Sequence, residues 1–310
     1  AAQACARTAD NQERPPAVRG ARAMFASPAL APSSAPPSTP PASAGLALWT
    51  ARLLRAEIPV LAQTADALEA MRANEDRVDA NSIGELIAGD PLMSLKVLAH
   101  AASRRTSRML TDTETVTAAL VMMGITPFFK AFGAQSTVEQ WLAGRPLALA
   151  GLQLALRRAH RAATFALGFA VFRRDHDAAV IHAAALLHDF AEMLLWCHAP
   201  DLALRIQQAQ LADPSLRSAV VQCEVLGVDL ADLQQSLMKA WRLPELLTRI
   251  ADDRHAEHPS VRTVTLAVRL SRHSLHGWDN PALPDDVDAI AALLNLSVGA
   301  TLELVHGIEA

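Results

Sequence analysis

From Leu46 onward, large apolar residues recur at intervals of three and four, and nowhere do β-branched residues alternate at intervals of two. A period near 3.6 buries one face of a helix, whereas a half-buried strand needs a period of two. Leu61, Ala65, Leu68 and Met71 form one such stripe. Ile83, Leu86 and Ile87 form another, and Leu92, Leu95 and Leu98 follow it after Pro91. Helix boundaries are marked as clearly as the faces. Asp79 and Asp90 stand where a side chain caps free N–H groups, and Pro91 takes the first helical position, where no N–H is needed. Thr115 to Met123 reads as an apolar helix ending at Gly124, with Pro127 starting its successor. Gly144 to Gly151 reads as a break, followed by a long helix from Leu152 to Phe172. Further helices are predicted over 176–198, 200–211, 215–226, 229–240, 244–253, 260–275, 285–295 and 297–308. The predicted fold is all-α, a multi-helix bundle.

Residues 1–45 break this pattern. They hold eight of the eighteen prolines, set among Ala and Ser, and have few large side chains to bury. Such a stretch reads as a flexible leader. The break at 144–151 divides the remainder into an N-terminal helical subdomain, 46–145, and a second helical subdomain, 146–310. A hydrophobic share of 51% is ample for a core. A net charge of −4 offers no basic footprint for nucleic acid, and the patch of Arg104, Arg105 and Arg108 is too small to supply one. Phe165 to Phe172 and Ala178 to Leu187 are too short to span a bilayer, so no membrane partner is expected. Cys5, Cys197 and Cys223 form no CxxC pair, which suits a reducing compartment, and a cytoplasmic location is the expectation.

Several of these junctions fall in a familiar order. Ile58-Pro59-Val60-Leu61 opens the folded part. Ile83 to Leu92 carries the Asp-Pro junction, Lys96 to Ser103 has a Leu-x-x-Ala tail, and a helix closes at Met123-Gly124. Later come Ala183-Ala184-Ala185-Leu186-Leu187-His188-Asp189 and Trp241-Arg242-Leu243-Pro244. This series, over about residues 55–275, resembles the HDOD (HD-related output domain) family, a relative of the HD phosphohydrolases. The resemblance implies a bacterial signal-transduction module, regulatory or scaffolding rather than catalytic, that binds a signalling protein partner.

Active HD domains hold a divalent metal with two imidazoles and two carboxylates, leaving room for water and phosphate. The resemblance puts His160, His188 and Asp189 on three of those ligands, with His255 as an additional donor. The closing carboxylate is expected near Leu266-Ala267-Val268, where Val268 cannot ligate, and Phe190 follows Asp189 where phosphohydrolases commonly place Lys nearby. Three readings therefore stay open. In the first, the site is a hydrogen-bonded remnant, a pseudoenzyme with no cofactor expected. In the second, it retains one divalent ion (Fe, Mn or Mg) as a phosphohydrolase of a nucleotide or cyclic dinucleotide. In the third, it is a nucleotide sensor without turnover, with Arg254 or Arg269 on phosphate. The ligand or partner site is expected in the cleft between the two helical halves.

Overall fold

A buried carboxylate organises the first half of the chain. The computed structural model describes residues 42–105, 113–213 and 215–309; Arg108 and the leader up to residue 41 lie outside them. Asp90 is fully buried. Its Oδ1 accepts from the backbone N–H groups of Leu92 (2.9 Å) and Met93 (3.0 Å), and its Oδ2 accepts from that of Leu61 (2.9 Å). One side chain thus caps α4 (Pro91–Ser103) and ties it to the entry of α2 (Ala62–Arg72). On the next turn but one, Lys96 donates to the Ile58 carbonyl (3.0 Å) and to Gln135 (2.6 Å). A single parallel bridge between Val60 and Thr137 completes the stitch, and Thr137 caps the short α7 (Val138–Trp141). Between these elements lie α3 (Ala80–Ala88), which Asp79 caps as predicted, α5 (Val116–Met123) and α6 (Ile125–Ala131). Gly84 brings α3 close to α5: a Cβ there would stand 2.4 Å from Thr117 Oγ1.

The second half is built around α8 (Pro146–Arg173), whose inner stripe of Ala155, Ala159, Ala162, Ala166 and Ala170 lets neighbours approach closely. Packed on it are α9 (Ala178–Leu186), α10 (Phe190–His198) and α15 (Pro259–His273). Around them run α11 (Pro200–Ala212), α12 (Ser218–Leu226), α13 (Leu230–Ala240) and α14 (Glu245–Ile250). The chain ends with α16 (Leu283–Leu294) and α17 (Val298–Glu309). The hydrophobic core is continuous through both halves. The first helix, α1 (Ala42–Arg55), starts inside the expected leader and packs on α13 of the second half. There Trp49 donates to the Leu226 carbonyl (3.2 Å) and Thr50 meets Ser236 (2.9 Å).

Among the described residues no element is a strand, so the all-α reading holds. Several boundaries differ from the sequence reading, and three of the differences have a clear physical reason. Helix α8 begins at Pro146, not after Gly151, because that glycine is not a stop: it makes room for the Trp196 ring, which a Cβ would meet at 2.4 Å. Pro127 lies within the first turn of α6, where its missing N–H costs no helical bond, and the helix starts at Ile125. The predicted helix 176–198 is two helices, interrupted at Leu187-His188-Asp189. That interruption is where the site forms.

Candidate functional site

The break between α9 and α10 frees the His188 and Asp189 side chains to turn toward α15 rather than stack along one helix. Both are largely withdrawn from water, with side-chain exposures of 12% and 17%. His188 Nδ1 lies 2.9 Å from Asp189 Oδ1, and His188 Nε2 lies 3.1 and 3.2 Å from the two oxygens of Asp253. Asp253 belongs to the 3-10 turn Asp253–His255, which Asp252 caps, and it also accepts from the Thr265 hydroxyl on α15 (2.8 Å). From the other side, Arg272 of α15 reaches both oxygens of Asp189 at 3.2 Å. A second pair adjoins the first: Arg158 of α8 contacts Glu192 of α10 at 2.7 Å, and Glu192 also accepts from the Trp196 indole at 3.3 Å.

This geometry fixes the charges. Burial favours neutral imidazole at His188, but hydrogen bonds to two carboxylates and their charges outweigh it and raise its pKa to about 10. Burial likewise opposes ionisation of Asp189, yet Arg272 and the His188 proton hold its carboxyl well below the usual range. Asp253 is lowered too, against its partial burial, by the hydrogen bond and charge of His188. For Arg158 the desolvation is overcome by Glu192 and Asp189, which keep the guanidinium charged. At neutral pH the centre is an ionic network, with His188 donating through both ring nitrogens.

The donor set does not fit a divalent metal. Both His188 ring nitrogens already face carboxylates, and a cation at Asp189 would have to displace or face the Arg272 guanidinium. His160 is two residues from Arg158 on α8, and two residues turn a helix to its opposite side. Arg158 therefore faces the His188–Asp189 cavity, while His160 points away and bonds the Gly89 carbonyl at 2.7 Å, joining the two halves. Val268 is buried in the apolar stripe of α15. His255 is 57% exposed, beside Glu257 and Asp252, and does not line the cavity. Among the described residues no cluster of three or more His, Cys, Asp or Glu is placed to hold a metal ion.

The two arginines proposed for phosphate also separate. Arg254 lines the cavity but is held by Asp252 (2.8 Å) and, more loosely, by Asp232 (3.6 Å). Arg269 lies outside it and pairs with fully buried Asp286 of α16 at 2.6 Å. Three site residues escaped the sequence reading: Arg158, Asp253 and Arg272. Their signals were weak, since each is a charged residue close to one that was singled out, and only helix rotation tells which of the two faces inward.

The cavity beside this network has a volume of about 520 Å³. Its walls come from α8, α10, α11, α12, α13, α15 and the 3-10 turn, with lining residues running from Gly151 to Arg272. It is therefore internal to the second half and does not occupy the cleft expected between the halves.

Comparison with known proteins agrees with this architecture. Residues 58–257, well over half of the chain, match the HDOD domain, and the chain belongs to the HDOD family. Its fold is similar to that of the MmoQ response regulator of Methylococcus capsulatus, with a TM-score of 0.60 at 16% identity over 81% of this chain and 99% of that one. It is also similar to a virulence factor of Campylobacter jejuni, with a TM-score of 0.57 at 19% identity over 80% of this chain and 89% of that one. A search of curated proteins finds no match.

Proposed function

We propose that the chain is a regulatory module of bacterial signal transduction, cytoplasmic and non-catalytic, that acts by docking a signalling protein. The observation carrying this reading is the saturation of the His-Asp pair by protein partners. Metal-assisted phosphoryl chemistry needs neutral imidazole donors, free carboxylate oxygens and an open coordination position. Here both His188 nitrogens face carboxylates, and Asp189 faces a guanidinium. The fold shared with a response regulator is in keeping with a signalling role.

Elemental analysis of protein purified without chelator tests the non-catalytic half of the proposal. The expected content of Fe, Mn and Zn is far below one ion per chain, in wild type and in His188→Ala alike. Stoichiometric metal that disappears in His188→Ala, together with turnover of a nucleotide or cyclic dinucleotide, sinks it. The docking half predicts that a complex with a signalling protein survives Arg272→Gln, because that side chain serves the internal network. Loss of the complex in a variant that folds as wild type counts against it.

A further inference from the structure

The seam between the two halves carries a titratable group that the His188 network does not use. His198 ends α10, and its ring lies edge-on against the indole of Trp141 on α7, with centroids 5.6 Å apart. Arg52 of α1 donates to the His198 carbonyl (2.9 Å). The ring hydrogen-bonds to the backbone of Glu57, in the segment that leads from α1 to α2. At this side chain α1, α7 and that segment meet the corner between α10 and α11.

The two ring nitrogens are not provided for alike. The Glu57 bond engages Nδ1, whereas Nε2 is buried without a partner among the described residues. Neutral imidazole suits that arrangement, because one nitrogen donates and the other keeps its lone pair. A proton on Nε2 would instead be a buried donor with no acceptor. The charges that face the ring are Arg52 and Glu57. Burial lowers the His198 pKa, the Glu57 backbone and carboxylate pull it up, and Arg52 adds to the lowering; the balance falls below the ordinary histidine range. Three residues further on, Asp201 of α11 pairs with Arg145 at 3.3 Å, but both are largely exposed and water screens that pair.

We propose that this contact is an acid-sensitive latch, which holds α7 and the α1–α2 link on the α10–α11 corner at neutral pH and lets go when His198 takes up a proton. The closed seam binds that proton more weakly than an exposed histidine does. Its contribution to closure is therefore complete above pH 6.5 and is lost as pH falls through the lowered pKa. A histidine protonated only in the open state raises the opening constant by up to about tenfold between pH 7.5 and pH 5.5. The His188 network has the opposite sign: its imidazolium is charged at both pH values, and Asp189 and Asp253 stay ionised. Acid of this strength opens the seam while the second half keeps its own ionic cross-links. The latch is independent of the non-catalytic reading, since neither its residues nor its readout involve the His-Asp pair.

Amide hydrogen exchange tests it, read as protection factors so that the pH dependence of intrinsic exchange cancels. Helix α7 has four residues, too few to persist without its neighbours. Its Trp141 and Leu142 amides, bonded to the Thr137 and Val138 carbonyls (2.9 Å each), therefore report the latch. From pH 7.5 to pH 5.5 their protection should fall by about three- to tenfold, while that of α8 stays unchanged. His198→Gln, which keeps a donor for Glu57 and cannot be charged, should abolish the fall. His100 also has a buried Nε2 without a partner, but its ring packs on Phe132 inside the first half, so His100→Gln should leave the fall in place. In the wild type, NMR of the ring protons should show His198 titrating below pH 6.5, a measurement that needs no variant. Titration of His198 at or above pH 6.5 would overturn the inference. So would α7 protection that ignores pH, an equal fall in His198→Gln or in α8, or loss of the fall in His100→Gln.

Discussion

The two halves of this molecule bury charge for different purposes, and the partners chosen reveal which. In the first half, the Asp90 carboxylate is answered by backbone N–H groups of two elements, and Lys96 by a carbonyl and an amide. Such charges fix where the chain goes. In the second half, His188, Asp189, Asp253 and Arg272 answer one another, and Arg158 answers Glu192 beside them. These charges do little to route the backbone. They hold α8, α10, α15 and the 3-10 turn around a cavity in one electrostatic state. A backbone-directed charge is a fold device, whereas a network of side chains next to a cavity is what a site, or its descendant, looks like.

Asp90 offers the most forceful way to break this comparison. Asp90→Ala leaves three backbone donors without an acceptor in a buried place and removes the cap of α4. Buried unsatisfied donors and a lost cap each cost on the order of 1–2 kcal/mol, so a destabilisation of about 3 kcal/mol or more is expected. Urea unfolding measures it. Burial also raises the Asp90 carboxyl pKa against these hydrogen bonds, which marks it as a costly charge kept for its acceptor geometry. Asp90→Asn, which retains one acceptor oxygen, should recover a large part of the loss. A change below 1 kcal/mol in Asp90→Ala would show that the bracket is decorative.

The second test follows from the His188 network and its sign. Unfolded, His188 titrates near 6.5; folded, its pKa is about 10. A raised folded pKa means that the native state holds the proton more tightly. The stabilisation is therefore complete below pH 6.5 and is lost as pH rises through 10. Asp189 and Asp253 are lowered, so their contribution is present above about pH 4 and fades as acid protonates them. The network is strongest between those limits. Because Asp253 is half exposed, water screens part of its attraction. A loss of about 2 kcal/mol between pH 6 and pH 10 is the expectation. Asp253→Asn should flatten that slope, while Asp79→Asn, in the first half, should leave it in place, because Asp79 is lowered from the ordinary carboxylate range and does not titrate there. An identical slope in wild type and Asp253→Asn would mean that His188 is not the group responsible.

The same contrast explains what was legible in the sequence. Fold devices leave local marks: Asp79 and Asp90 precede apolar stripes, Pro91 opens a helix, and Gly124 closes one at a φ of 82°. These could be read because cap and helix are neighbours in the chain. The network was only half legible. His188 and Asp189 are adjacent, but Asp253 and Arg272 reach them across 65 and 83 residues. No local period encodes such contacts. His160 shows the limit well: it was chosen for its chemistry, and helix rotation gave the inward position to Arg158. Gly151 shows the opposite error. A glycine was read as a break when its use was tertiary, to admit the ring of Trp196.

That tertiary use of glycine supplies the smallest test, and it spans both halves. A Cβ at Gly84 would stand 2.4 Å from the Thr117 hydroxyl, which can rotate away, and 3.2 Å from the Thr117 Cβ, which cannot, so α3 and α5 would have to part by a few tenths of an ångström. A Cβ at Gly151 would meet three Trp196 ring atoms at 2.4 to 2.8 Å, and that ring is buried and also bonded to Glu192. A helical Gly→Ala change gains up to about 1 kcal/mol of propensity, against overpacking costs of about 1–3 kcal/mol. Gly84→Ala should thus be nearly neutral, since the threonine hydroxyl can turn away and the helices need part only slightly, whereas Gly151→Ala should lose about 1–2 kcal/mol because a wedged indole cannot turn. Trp196 fluorescence should shift only in Gly151→Ala, whose pushed ring draws Glu192 away from Arg158. If the two variants lose the same stability, or if Gly151→Ala leaves the indole spectrum untouched, the second half is no more tightly cross-linked around its cavity than the first is around Asp90.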